Sequence, residues 1–167
     1  IQGQAYVAAG TTPIVVAIPG MSIDLRGGAL NVRSDATRRE VFVPQQAVVA
    51  DVQGLGGPTT IAAGQLLRMD GQRPRVAPAA DPAALTSWRS GWLLFDDVPL
   101  ARAAAEINRY RRAPIRLAPG TRQLRISGSF RVDDNSDFLG AVAAALPATV
   151  APSAAGPTIV PTRQPEK

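Results

Sequence analysis

Gly91-Trp92-Leu93-Leu94-Phe95-Asp96-Asp97-Val98-Pro99-Leu100-Ala101-Arg102-Ala103-Ala104-Ala105-Glu106-Ile107-Asn108-Arg109-Tyr110 changes its hydrophobic period midway. Residues 91–95 alternate apolar positions, which predicts a strand. Asp96 and Asp97 then place negative charge just before Pro99, a residue suited to the first helical position because its missing N–H has no intrahelical partner to lose. From there Leu100, Ala103, Ala104, Ile107 and Tyr110 recur at helical spacing, so the spacing predicts one apolar face with Arg102, Glu106, Arg109 and Arg112 turned outward. Pro114 ends the helix.

The pattern repeats downstream. Residues 115–117 predict a short strand and 124–132 a longer alternating one. Asp134, with Asp137 three residues on, predicts a capped helix with an acidic first turn. Its buried side is assigned to Phe138, Leu139, Val142, Ala145 and Leu146, and Pro147 stops it. Residues 148–151 and 158–160 close the unit as a hairpin around Ser153 and Gly156. The order is strand, helix, strand, strand, helix, strand, strand.

Upstream the texture is different. Val-, Ile- and Leu-rich runs at 5–7, 14–18, 23–25, 30–32, 41–43, 48–52 and 61–69 are separated by Gly, Pro, Asn or Asp, with turns assigned to Gly27-Gly28, Gly54 and Gly56-Gly57. Seven strands at this spacing predict a sandwich or an irregular barrel. Pro74, Pro78 and Pro82 then exclude a continuous helix or central strand, and the stretch reads as a linker with room for one helical turn near Asp81-Pro82. Gly71 to Arg75 is read as the end of the last strand. The expected architecture is mostly β and α+β overall: an all-β domain over 1–74, a linker over 75–87, a small βαβ-βαβ module over 88–161 and a tail over 162–167.

Composition narrows the chemistry. The 167 residues are 46% hydrophobic and 19% charged, a balance that buries a core. They contain no cysteine and no histidine, which excludes disulfides, thiol nucleophiles, thiolate metal sites and Ser-His or Cys-His catalysis. Seventeen of the 18 basic residues are arginine, and net charge is +5. Residues 1–87 hold seven arginines against six acids, and 88–167 eleven basic residues against seven acids, so the surplus lies in the second half. The arginines are scattered, their densest group is Arg109, Arg111 and Arg112, and eight aromatic residues offer little stacking; a solvated basic face is the reading, not a nucleic-acid site. The longest aliphatic run, 14–18, is far short of the ~20 residues a bilayer span needs. The chain opens at Ile1 without a start methionine or signal-peptide pattern, which leads to the expectation of a piece of something longer.

Candidate chemistry reduces to structure at each position. The pairs Asp96-Asp97 and Asp133-Asp134 precede helices and are read as dipole partners. Gly54 to Gly57 lacks the lysine of a phosphate loop. Ser127-Gly128-Ser129 sits inside an alternating strand with no base available, its glycine marking a close approach. Lys167, the only lysine, stands at the C-terminus, away from any serine. No catalytic residue, cofactor or metal ligand is assigned. Trp88 and Trp92 are read as core or junction packing; a glycan-binding module using them and the arginine face is the alternative. Arg109 and Arg112 are the candidate partner-binding residues.

Trp88, Gly91, Leu93 and Phe95, then Val98-Pro99-Leu100, then Glu106-Ile107-Asn108-Arg109-Tyr110 and Pro114-Ile115, form a long ordered string that resembles the C-terminal part of FecR-type regulators, membrane-spanning anti-sigma factors of Gram-negative bacteria. Ile126-x-Gly128-x-Phe130, Leu146-Pro147 and Thr158-Ile159-Val160 are similar to the same family. The first half resembles it at Gly3-x-Ala5-Tyr6-Val7, Pro13-Ile14-Val15-Val16, Leu30-Asn31-Val32-Arg33 and Ala63-Gly64-Gln65. It departs at Gly27-Gly28-Ala29, where the family has Gly-Thr-x-Phe, and at Gln45-Gln46, where it has Glu-Gly. The family's cytoplasmic sigma-binding segment and its transmembrane helix lie outside the resemblance.

The resemblance implies a periplasmic region of a single-pass inner-membrane protein: a FecR β domain followed by a module similar to the secretin and TonB short N-terminal domain. It implies binding to the N-terminal signalling domain of a TonB-dependent outer-membrane transporter, and relay to an extracytoplasmic-function sigma factor through the absent segments, as in regulation of iron uptake. It implies no enzyme, no cofactor and no nucleic-acid partner. A secretin or receptor N-terminal domain uses a similar module, but there the module comes first, whereas here it comes last.

Overall fold

The structure is a computed structural model that describes residues 3–35, 38–53, 55–70, 73–134 and 136–162. The turn assigned to Gly54, the strand end assigned to Gly71, and the tail beyond Thr162 lie outside the described residues. The chain divides into two compact units, Ile1–Thr86 and Ser87–Lys167.

The first unit is two antiparallel sheets over one core. Strands β1 (Gly3–Ala9), β4 (Gly28–Ser34), β5 (Arg38–Phe42), β8 (Gln65–Asp70) and β9 (Arg73–Pro78) form a five-stranded sheet in the order β1-β4-β5-β8-β9. Strands β2 (Ile14–Ile18), β3 (Met21–Leu25), β6 (Val48–Val52) and β7 (Pro58–Ile61) form a four-stranded sheet in that order. The alternation does what the pleat requires: Val48, Ala50 and Val52 are buried while Val49 and Asp51 are exposed. The inward rows of both sheets meet, with Leu30, Val32, Val41 and Leu67 from one and Ile23, Leu25, Ala50 and Ile61 from the other in a single cluster. The sheets remain separate, so the architecture is a sandwich and the barrel alternative is set aside.

Two details correct the expectation. The run at 61–69 is two strands, broken by a turn in which Gln65 donates its N–H to Ala62 O at 3.1 Å while its side-chain Oε1 accepts the Ala62 N–H at 2.8 Å. Residues 75–78, expected as linker, complete β9, because an edge strand uses only one side and tolerates Pro74 and Pro78. The single helical turn is α1, Pro82–Thr86, where Asp81 Oδ1 accepts the Ala84 N–H at 2.9 Å.

The second unit follows the expected order. After a 3-10 turn, Ser87–Ser90, come β10 (Trp92–Pro99), α2 (Leu100–Asn108), β11 (Arg116–Leu117), β12 (Arg125–Arg131), α3 (Ser136–Ala145), β13 (Ala148–Ala151) and β14 (Thr158–Pro161). Strands β10 and β12 pair antiparallel. The other three make a mixed sheet in the order β11-β14-β13, in which β11 joins β14 in parallel through only Arg116↔Thr158 and Leu117↔Ile159. The strands flanking each helix thus lie in different sheets, and the helices share one core with both: Leu93, Leu100, Ala104, Ile107, Ile126, Phe130, Phe138, Val142 and Ile159.

The helices differ from expectation at their ends. Strand β10 runs on through Asp96, Asp97 and Pro99, so the acidic pair precedes α2 as expected but lies within the strand; Pro99 is the N-cap of α2 rather than its first residue. Tyr110 lies beyond the helix and is 37% exposed, leaving Leu100, Ala103, Ala104 and Ile107 as the buried face. On α3 the exposed Ala145 gives way to the half-buried Ala141, while Phe138 and Val142 are buried.

Candidate functional site

The residues singled out from sequence converge on the second unit. Leu93 and Phe130 face each other across β10 and β12, and both are buried. Phe130, Phe95 and Phe138 form an aromatic group, with centroids 5.9 Å apart for Phe95–Phe130 and 5.2 Å for Phe130–Phe138. Gly128 has φ +151°, and a Cβ there would lie 2.8 Å from Phe130 Cζ, so the expected close approach is to that ring. Trp88 packs on the core of its unit, and Gly91 joins the 3-10 turn to β10, donating to Trp88 O at 3.0 Å and accepting from Val132 N at 3.0 Å. Trp92 is 38% exposed with the Arg131 guanidinium 5.6 Å from its ring centroid. That cation covers part of the surface a sugar would stack on.

Asn108, the last residue of α2, has a role that its place in the string did not reveal. Its Nδ2 donates to Ile115 O at 2.9 Å and its Oδ1 accepts the Ile115 N–H at 2.7 Å, which clamps the helix end to the start of β11. The chain leaves the helix at this clamp, so Arg112 is not on a helix face; it is exposed in the connecting loop. Arg109 caps the helix with only 22% of its side chain exposed, its Nη1 3.8 Å from Glu106 Oε1. Nη1 is enclosed without a hydrogen bond among the described residues. The two arginines are therefore unlike: one is folded against its own unit, the other is solvated.

The acidic pairs are structural. Asp96 and Asp97 occupy a bulge where the register shifts between Phe95 and Val98, and Asp97 has φ +47°. Asp97 Oδ1 lies 2.7 Å from Arg125 Nε, Asp97 O accepts a hydrogen bond from Arg125 Nη2, and the Asp97 N–H donates to Ser127 Oγ at 2.8 Å. Asp133 takes two bonds from Arg131, at 3.0 and 2.8 Å, which hold its carboxyl below the usual carboxylate range. Asp134 Oδ1 accepts the Ser136 N–H at 2.9 Å at the start of α3, and that bond, with one from Ser136 Oγ, lowers it likewise. Carboxyls depressed by folding stabilise the fold above their unfolded value of about 3.9 and lose that contribution as pH falls through the folded value. Thermal melts should therefore show stability falling below about pH 4. The fall should be shallower in Asp133→Asn; an unchanged slope would remove Asp133 from this account.

Sequence spacing concealed a row of charge on the first unit. Register aligns Gln4, Arg33, Glu40, Arg68 and Arg75 across the five-stranded sheet. Glu40 is buried, with Arg68 Nε at 2.9 Å and Arg38 Nε at 3.8 Å. Only the pairing of strands brings these residues together. Among the described residues there is no group of three or more His, Cys, Asp or Glu placed to hold a metal ion, and no helix is long and apolar enough to cross a membrane.

This two-unit fold has known counterparts. Two crystal structures titled "putative anti-sigma factor from Parabacteroides distasonis ATCC 8503" superpose with TM-scores of 0.75 and 0.76 over 97% of this chain and 78% and 79% of theirs, at 16% identity. The chain thus has an anti-sigma-factor-like fold. No family model matches the sequence, and no curated protein matches it.

Proposed function

We propose that this chain is the periplasmic, signal-receiving region of a FecR-type transmembrane anti-sigma regulator. The observation that carries the reading is the likeness of fold across nearly the whole chain to the anti-sigma-factor structures. The FecR-like string lends it support, since Leu93, Leu100, Phe130 and Asn108 of that string are the residues that build the second unit. In this reading the second unit binds the signalling domain of a TonB-dependent outer-membrane transporter, and the message passes to a sigma factor through parts of the regulator outside this chain. Such a relay needs a rigid surface, not a reactive group. Arg112, exposed and carrying part of the second half's charge surplus, is the arginine an acidic partner surface would meet; Arg109 serves its own unit.

Binding kinetics of the chain with the isolated signalling domain of a TonB-dependent transporter, followed by surface plasmon resonance at several salt concentrations, test this. Saturable binding is the expected result, with Arg112→Glu slowing association in a salt-dependent way. Absence of binding, with uptake of soluble peptidoglycan fragments instead, would overturn the proposal in favour of a glycan-binding module.

A further inference from the structure

Among the described residues strand β12 pairs with β10 alone, and its other edge is open. Which backbone groups face that edge follows from the ladder. The Val132 N–H bonds to Gly91 O and Leu124 O accepts from the Leu100 N–H, so alternate residues 124, 126, 128, 130 and 132 turn their backbone groups toward β10. The bulge places Asp96 and Asp97 opposite Ser127 and leaves this alternation on β12 unbroken. Arg125, Ser127, Ser129 and Arg131 therefore point N–H and C=O away from β10. None of these groups has a backbone partner among the described residues.

No bulky side chain projects from the middle of this edge: Ser127, Gly128 and Ser129 are all exposed, and on the core-facing row the Phe130 ring covers Gly128. The other edges of the unit carry devices that discourage pairing. Strand β10 has its bulge, two aspartates and Pro99; β13 has four residues between Pro147 and Pro152; β11 has two. Strand β12 has none of these between its terminal arginines. Alternating outward donors and acceptors along an extended strand match one ligand chemistry, another extended polypeptide backbone.

We infer that the outer edge of β12, at Arg125, Ser127, Ser129 and Arg131, is where the partner protein docks, by adding a strand of its own through main-chain hydrogen bonds. This rests on the function proposed above and names the contact. The added strand would run beside Arg125 and Arg131 on the outer face, where residue choice gives specificity, while the backbone gives affinity.

Residue-resolved amide exchange on the full chain, alone and with the signalling domain, tests the inference. Bound, the amides of Arg125, Ser127, Ser129 and Arg131 should slow by about tenfold or more, a hydrogen bond's worth of protection. Ser129→Pro removes one outward N–H that the β10 pairing does not use and should weaken binding by about tenfold, while Ser129→Ala binds normally. If Ser129→Pro disrupts the fold by circular dichroism, the exchange pattern of the unsubstituted chain still decides. Binding with protection confined elsewhere would overturn this contact and leave the proposed function standing. No binding at all would overturn both. Protection of the same amides in the chain alone, in step with dimerisation, would overturn the inference by making a second copy the occupant.

Discussion

Phe138→Ala is expected to cost the second unit about 3–5 kcal/mol, the usual loss for truncating a fully buried phenylalanine. Phe138 is 0% exposed and presents an edge to Phe130 at 5.2 Å, with Phe95 at 6.5 Å. These rings come from α3, β12 and β10, so the cavity would open where a helix meets both strands of the smaller sheet. A unit of about 80 residues has roughly 4–12 kcal/mol of stability, so this loss takes from about a quarter to all of it. Phe130→Ala should behave alike, since Phe130 is 4% exposed and its ring also fills the space over Gly128. Urea denaturation followed by near-UV circular dichroism measures both. A loss under about 1 kcal/mol would mean that the surroundings collapse into the cavity.

Gly156→Ala should be about as damaging, by about 2–6 kcal/mol, for a different reason. Gly156 has φ +107°, and a Cβ there would lie 2.4 Å from the backbone oxygen of Pro114. The obstacle is main chain, which cannot swing aside as a side chain does. Gly156 is also tied to Ser153: its N–H donates to Ser153 O at 3.1 Å and its carbonyl oxygen accepts from Ser153 Oγ at 2.7 Å. The methyl group would thus press the β13–β14 hairpin away from the segment leading into β11. Gly120→Ala is the control: φ is +89°, but the nearest atom to its Cβ is Pro161 Cγ at 3.9 Å, so only the backbone penalty applies, about 1–3 kcal/mol. Equal melting temperatures for the two variants would show that the approach to Pro114 carries no energy.

How much of this was legible in the sequence depended on range. Period and punctuation placed most strands of both units and the two longer helices, because alternation and helical spacing are written within a few residues of each other; β9, with its prolines, and the break between β7 and β8 were missed. Helix ends were less legible. Asp96-Asp97-Val98-Pro99 has the composition of a helix start, yet β10 continues through it because Val98 and Pro99 find Ile126 and Arg125 across the ladder. The end of α2 is set by Asn108 reaching seven residues ahead to Ile115, a bond that no local propensity encodes. The row of Arg33, Glu40, Arg68 and Arg75 and the open edge of β12 depend on register and strand order, which a sequence holds only once partners are known. Ser127-Gly128-Ser129 drew notice for its side chains, while its outward backbone groups could be assigned only from the ladder.

The mixed sheet of the second unit has its last strand in the middle. Strands β11 and β13 touch β14 and not each other, and Arg116 and Thr158 are about forty residues apart in the chain. Closing so long a loop for two parallel pairs costs entropy that the contacts return only at the end. During synthesis, then, β11 and β13 emerge with no sheet to join, and the core residues they cover stay wet until β14 arrives. Assembly of this unit waits on its final strand, and a nascent chain cannot close the core of this unit before that strand has been translated and docked.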